Sequence, residues 1–505
     1  MVMNNQRNKY FIFLMLVASI FASCKKQWDE HNRITDAALT VNLMQQISSN
    51  PNLTSFNQYL VKSGYDKVLA SSKQFTVFAP NNAAMTSVDP GILADTTRLK
   101  QFVGNHISYQ LYTTSLAQPT IRVQMLNGKS ETLSSTTIEL ATIVTADLYA
   151  QNGILQIINK AITPKLNIWD YVTNAGGKGL STDGIKEQNY LLSQNYQVID
   201  SANSKVIGVD PLTGKVILQP VFITNNHYKD NAADPANETN QYTFFVLADA
   251  GFDANTNAEL KYFTTSSVDS TSKLTSFNIL KDLIVPGVYS TKNEPGTLAM
   301  KDTIISIFGS KVPINMADTI RSYNASNGRV YVMKTINFRL QDKITPIFIE
   351  GESEPQSNQP GAWLARYDKA GDIYYRIKND PTQPGKVFKD IFIEQNSNPT
   401  GGTLPPPFWC GYPIQSMYTV SYKVYIRAIN DTRTVFNQRI DFGSINSNVF
   451  PYTPVTLNNY NEVYLGTYTP AKYGYNSMFL LGSLSTTGGQ NSLTMDYIKL
   501  VPILP

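Results

Sequence analysis

The stretch that most limits how this chain can fold is Phe75-Thr76-Val77-Phe78-Ala79-Pro80-Asn81-Asn82-Ala83-Ala84-Met85. Phe75 to Phe78 is a short apolar run with β-branched residues at its centre, which predicts a buried strand. Pro80 has no backbone donor and a fixed φ, so the strand ladder should end there. Asn81 or Asn82 is placed to cap a helix whose first turn carries Ala83, Ala84 and Met85. The order is strand, stop, cap, helix, and no residue in it is equipped for catalysis.

The flanking sequence supplies partners for that unit. Asp36 to Ser48 sets Leu39, Leu43, Met44 and Ile47 at helical spacing, and Asn50-Pro51 breaks the pattern. Phe56, Tyr59 and Leu60 line a second amphipathic helix that ends at Ser63-Gly64. Leu99, Phe102, Val103 and His106 share a third helical face. Thr-rich alternating segments follow, among them Thr137 to Thr145, and suit strands. Asn152-Gly153 signals a hairpin turn, Ile154 to Ile158 leaves it, and Pro164 closes the unit. His106 has two readings, a ligand or acid–base group, or a ring packed on its helix and hydrogen-bonded to backbone. No Cys, Asp or Glu motif accompanies it, which favours the second.

On these residues, 36–165 resembles the fasciclin-like adhesion domain. The family's first signature is similar to Phe75 to Met85, and its middle helix to Leu99, Phe102, Val103, His106 and Ile107. Its last signature is similar to Asn152-Gly153-Ile154-Leu155-Gln156-Ile157-Ile158-Asn159 with Ile162 and Pro164, and its opening to Asn50 through Phe56. The resemblance implies a compact α/β wedge used for adhesion, usually without catalysis.

The same frame is echoed further on. Tyr242-Thr243-Phe244-Phe245-Val246-Leu247-Ala248-Asp249 repeats the first stretch with Val246 aligned on Val77. Leu280 to Leu283 with Val285 to Tyr289 repeats the middle helix and its exit, and Asn327 to Met333 the closing hairpin. Residues 166–345 therefore read as a diverged second fasciclin-like domain, with Asp249 in place of Pro80 and without the histidine. An insertion from Gly176 to Asn240, rich in Gly, Asn and Asp, is expected to loop outward. Gly208 to Lys215 lacks the spacing of a phosphate loop and is followed by Val216 rather than Ser or Thr. Asp253, Asn255 and Asn257 imitate a calcium loop, but Ala258 and Thr264 replace its glycine and terminal carboxylate.

From Thr345-Pro346 onward aromatic residues become denser and alternating strands dominate, which predicts a β-sandwich over 346–505. Ile349-Glu350-Gly351-Glu352 and Asp496 to Pro502 resemble the opening and closing strands of the galactose-binding-like jelly rolls of carbohydrate-binding modules, with Tyr422 to Arg427 as a core strand between them. That resemblance implies a structural calcium held by carboxylates of the first and last strands; no other cofactor is expected. Glu350 and Glu352 lie two apart on one strand face, so with Asp496 they offer hard oxygen ligands, against the plainer alternative of solvated glutamates and a turn aspartate. Sugar binding needs exposed rings among polar neighbours. Trp363, Tyr367, Phe408, Trp409, Tyr412, Tyr473 and Tyr475, all near turns, are the candidates. Cys410 reads as a buried free thiol.

At the other end, Arg7 and Lys9 precede an apolar run, Tyr10 to Ala22, of signal-peptide length. It ends Phe21-Ala22-Ser23-Cys24, which resembles the lipobox of bacterial lipoproteins, with Phe21 where the family usually has Leu. The resemblance implies a signal peptide over 1–23, a lipid on Cys24 and a tether over 24–35. The alternative is an ordinary secretory signal with an incidental cysteine. Asp29-Glu30 is similar to the acidic stretch that sends some lipoproteins to the outer face of the outer membrane. The charge balance, 42 basic against 38 acidic residues, forms no basic stripe and argues against nucleic acid as a partner. Two cysteines exclude a disulfide scaffold.

The expected whole is a multidomain chain of two α/β fasciclin-like wedge domains followed by an all-β jelly-roll sandwich. It reads as a non-catalytic lipoprotein of the bacterial outer membrane, exposed at the cell surface and holding extracellular glycan or a matrix or surface protein. An accessory glycan-capture role in polysaccharide uptake is the alternative. A glycoside-active enzyme is disfavoured, because the sequence has no nucleophile elbow, His-Glu-x-x-His or phosphate loop and only carboxylate pairs remain.

Overall fold

The structure is a computed structural model that describes residues 40–294, 296–353, 364–365, 370–395, 409–432, 434–445, 447–483 and 492–505. The signal peptide and tether expected from the sequence, with Cys24, lie outside the described residues, as do Trp363, Tyr367 and Phe408.

Phe75–Pro80 is buried at all positions because it lies inside a seven-stranded sheet. It runs parallel to Gly153–Ile158 and antiparallel to Ile107–Ser108. A strand covered on both faces is written as a continuous apolar run, which is what the sequence shows. Pro80 ends it, and the Asn81 side chain accepts from the Ala84 N–H at 2.8 Å to start helix Asn82–Met85. Helices Leu43–Ser48, Thr54–Ser63 and Thr96–Gly104 cover the sheet with Leu43, Ile47, Phe56, Leu60, Leu99, Phe102 and Val103. His106 is structural. Its Nδ1 lies 2.8 Å from the Phe102 carbonyl and its Nε2 accepts from the Ile162 N–H at 2.9 Å, which fixes a neutral ring with the proton on Nδ1.

The strand order and pairing recur in the second unit. Tyr242–Leu247 runs parallel to Gly328–Met333 and antiparallel to Ile284–Pro286, with Thr319–Ala325 beyond. The polar anchors recur with it. Asn152 Oδ1 receives the Leu43 N–H and Asn327 Oδ1 the Ile168 N–H. Thr76 and Thr243 each donate to a carbonyl of the segment leaving the middle helix. Gly153 and Gly328 occupy φ values of 157° and 154°, and a Cβ there would stand 2.1 Å from Phe75 O and 2.0 Å from Tyr242 O respectively. Only glycine fits.

These registers correct the alignment read from the sequence by two residues. Phe75 pairs with Gly153 and Tyr242 with Gly328, so Leu247 stands where Pro80 stands, and Asp249 where Asn82 stands. The function of that side chain follows. Asn82 Oδ1 receives the Ser55 N–H at the start of helix Thr54–Ser63, and Asp249 Oδ1 receives the Lys186 N–H at the start of helix Ile185–Ser193. A two-residue slip preserves strand alternation, so apolar pattern alone does not expose it.

The insertion is only partly an outward loop. Helix Ile185–Ser193 buries Glu187 and Leu191, and Tyr228 of helix His227–Asn231 is wholly buried in the second core. Between them Asn195–Ile199 pairs with Phe222–Asn226 and Lys205–Val209 with Val216–Gln219, a two-stranded ribbon whose large apolar side chains are mostly exposed. Gly208 to Lys215 is its tip, and Asp253, Asn255 and Asn257 lie on helix Asp249–Glu259, so neither is a ligand loop.

The third unit is a sandwich. Ile347–Glu350, Tyr497–Pro502, Tyr422–Arg427 and Val463–Tyr468 form a four-stranded sheet in that order. A five-stranded sheet carries Trp409–Met417, Gly474–Gly482 and Phe436–Phe442, and a three-stranded sheet adds Val387–Gln395 and Ser492–Met495. Tyr422, Val424, Ile498 and Leu500 meet Cys410, Ile440, Met478 and Leu480 in one core. That core also takes in Tyr262, Phe263 and Ile344 from the unit before it. Phe263 packs on Tyr418 and Tyr473 at 5.3 and 5.0 Å between ring centres, and Thr419 N–H donates to Tyr262 O at 3.0 Å. The first two units meet through Lys129 and Glu238 at 2.7 Å and through Arg122, which donates to the Glu238 and Ser326 carbonyls at 3.2 Å each. Among the described residues no helix is long and apolar enough to cross a membrane.

Candidate functional site

An acidic cleft opens at the end of the four-stranded sheet. Glu350 ends the first sandwich strand, Gly351 turns away with its N–H on Asp496 O at 2.7 Å, and Glu352 follows. That tight turn needs glycine, since a Cβ at Gly351 would lie 1.9 Å from Met495 O. Asp496 sits where the chain passes from Ser492–Met495 to Tyr497–Pro502, so first and last strands deliver their carboxylates to one place. The cleft holds about 390 Å³, and Asp380, Lys386, Phe388, Arg427 and Tyr497 complete its wall.

The electrostatics record how close the acids are. Burial raises the Asp496 carboxyl to about 6 against the pull of Arg427, with Asp390 and Glu352 adding repulsion. Burial raises Glu350 as well, and Glu352 and Asp496 add to it. Glu352 Oε2 is buried without a hydrogen-bond partner. Arg427 offsets part of this: it pairs with Asp496 through one nitrogen, with Asp380 at 2.6 Å through another, and reaches Tyr460 O at 2.9 Å through Nε. Mutually repelling carboxylates with an orphaned oxygen are the donor chemistry of a hard cation such as calcium. Among the described residues, however, no three such side chains are arranged to close on one ion.

The structure separates the ring candidates. Tyr412 is 2% exposed and donates its hydroxyl to Gly351 O at 3.1 Å, so it is a core residue beneath the acidic turn, which corrects its expected place among exposed rings. Tyr473 is occupied in the seam with Phe263 and Tyr418, a correction of the same kind. Trp409 is half-buried, edge-on to Phe479 at 5.3 Å, and Tyr475 is half exposed on Gly474–Gly482. Cys410 is a buried thiol whose pKa burial pushes up to about 12. A further group of rings, on strands rather than near turns, stands on the outer face of the four-stranded sheet: Phe348, Tyr425, Tyr464 and Tyr497. The alternation in Ile347-Phe348-Ile349 and in Tyr422 to Arg427 is the signal that places Phe348 and Tyr425 outward.

In comparison with known proteins, residues 51–164 match the sequence profile of the fasciclin domain. No curated protein matches the chain. Among solved structures, a FAS1 domain pair of the insect cell adhesion molecule Fasciclin I is 15% identical and covers 58% of this chain and 99% of its own, with a TM-score of 0.23. The CBM36-1 domain of a multidomain xylanase from the hindgut metagenome of Trinervitermes trinervoides is 12% identical, covering 32% of this chain and 100% of its own at a TM-score of 0.20. A carbohydrate-binding module CBM36 in complex with calcium and xylotriose is 14% identical, covering 31% and 99% at a TM-score of 0.20.

Proposed function

We propose that this chain is a non-catalytic binding protein of the bacterial cell envelope, anchored through lipid on Cys24 and displayed at the surface of the outer membrane. Its fasciclin domain and a diverged second copy serve as an adhesive and spacing stem, and the C-terminal sandwich, a jelly roll, holds extracellular glycan. The observation that carries the reading is the fasciclin domain at 51–164, an adhesion-type module, continued by a unit with the same strand order and anchors. The shared core around Phe263 supports the stem and sandwich acting as one body.

The carboxylates of the acidic cleft have the donor chemistry for a structural calcium, which would have to draw them together to be held. Glu350, Glu352 and Asp496 would hold it, and it would relieve their repulsion and lock the first strand to the last. Glycan capture feeding an uptake system is a narrower form of the same reading.

The test is binding by the intact chain to glycan and matrix-protein arrays, with and without chelator, alongside fractionation of cells carrying Cys24→Ser. Retention on one array and release of the variant from the membrane fraction support the proposal. Silence on both arrays, or membrane retention of the variant, would overturn the corresponding part.

A further inference from the structure

The outer face of the four-stranded sheet carries a row of paired side chains, with a bulge between Val424 and Tyr425 where the last strand joins it. Phe348 pairs with Lys499, Lys499 with Tyr425, and Tyr425 with Tyr464, one residue from each strand. Phe348 and Tyr464, at the two ends, are each 53% exposed. Phe348 meets Tyr497 of the next row at 5.8 Å, and Tyr425 meets Tyr464 at 5.3 Å. Between these ring pairs Lys499 Nζ stands 6.0 Å from the Phe348 ring centre and 5.6 Å from that of Tyr425. Its charge is met by both oxygens of Glu462 at 3.1 Å, and Tyr497 donates its hydroxyl to Glu462 at 2.8 Å. Three strand spacings of about 4.8 Å make the row roughly 14 Å long.

Resting on the reading that the sandwich binds glycan, we propose that this face is its contact surface and that the ligand is an uncharged oligosaccharide laid across the strands. Phe348, Tyr425 and Tyr464 offer ring faces to sugar C–H groups, and Lys499, Glu462 and the Tyr497 hydroxyl offer donors and acceptors to hydroxyls between them. The other occupants fit less well. Four partly exposed rings present a few hundred Å², well below the roughly 800 Å² per partner of a stable protein interface. A lipid surface would meet a carboxylate–ammonium pair at the centre of the patch, which acyl chains cannot solvate. An acidic polymer would meet Glu462 in the same place.

The experiment is calorimetric titration of the full chain with cellohexaose, xylohexaose, mannohexaose and oligogalacturonate. It is repeated for Tyr464→Ala, Phe348→Ala and Lys499→Met, with Tyr149→Ala, an exposed ring of the first domain, as a control. Thermal melts of each variant confirm folding. The expected result is binding of at least one neutral oligosaccharide, weakened roughly tenfold or more by each sheet-face variant and unchanged by the control. Binding of a neutral oligosaccharide that all three variants retain would overturn the assignment of the surface while leaving the glycan reading intact. Binding of oligogalacturonate alone would overturn the ligand class. No binding by the unaltered chain would overturn both.

Discussion

At the residue scale, His106 shows how one buried ring sets a pH limit on the first domain. Burial lowers its pKa from 6.5 to about 4, against the Phe102 carbonyl, which raises it. The folded state therefore holds the neutral ring, and its contribution is complete above 6.5 and lost as pH falls toward 4. The melting temperature of the first domain should drop across that window, and His106→Leu should flatten the dependence. It should also cost about 1–3 kcal/mol at neutral pH by orphaning the Ile162 N–H. Denaturation of both proteins at pH 7 and pH 4.5 checks this, and an equal acid loss in the variant would contradict it.

Asp496 titrates in the opposite sense. Its folded pKa of about 6 lies above the ordinary 3.8, so the fold favours the protonated form and its ionisation lowers stability as pH rises through 6. Calcium needs the ionised form, so the rise in melting temperature on adding calcium should be larger at pH 7.5 than at pH 5. A calcium shift that is absent, or equal at the two pH values, would remove the ion from the account. Glu352→Gln should diminish the shift without unfolding the sandwich.

At the scale of elements, the ribbon between Asn195 and Asn226 contrasts with the helix before it. Ile199, Val206, Ile207, Val209, Leu212, Val216, Ile217, Phe222 and Ile223 are exposed along the ribbon, with Leu212 96% exposed at the tip. Apolar side chains left in water contribute little to folding, and a two-stranded ribbon alone is marginal. Replacing 200–221 with a short Gly-Ser turn should therefore move the melting temperature by no more than about 2 °C. Leu191→Ala in the adjacent helix should cost about 2–5 kcal/mol, because that side chain is 1% exposed. A large loss on trimming the ribbon would show that it packs on the body.

The same elements explain what the sequence made legible. Phe75 to Met85 announced itself because each local signal agreed: an apolar run, a proline stop, an asparagine cap. The second copy was visible as an echo but aligned two residues out. Its start, Ala248, replaces the capping Asn81 with a side chain that cannot cap, and only the second polar anchor, Asp249 in the place of Asn82, is kept. The acidic cleft was legible because Glu350, Glu352 and Asp496 flank the sandwich's first and last strands, which lie adjacent. Arg427 was not, since its place between Asp496 and Asp380 depends on a loop whose path only tertiary packing sets. The ring row was hidden for a related reason: its members come from four strands far apart in the chain, and only sheet register aligns them.

At the scale of the whole molecule, the seam around Phe263 makes stem and sandwich one body. Lys343, which leads into the sandwich, is pinned between Glu259 at 2.8 Å and Asp282 at 3.3 Å inside the second unit. Phe263→Ala should free the sandwich, seen as new proteolytic cleavage near 334–346 while each unit keeps its own melting transition. The central claim is that this molecule retains an extracellular ligand without altering it. Its most direct test is to bind the intact chain to an immobilised glycan panel, elute, and weigh the recovered glycans by mass spectrometry. A saturable subset of glycans recovered at unchanged mass is the expected result. Recovery of shortened glycans, or no retained glycan at all, would contradict it.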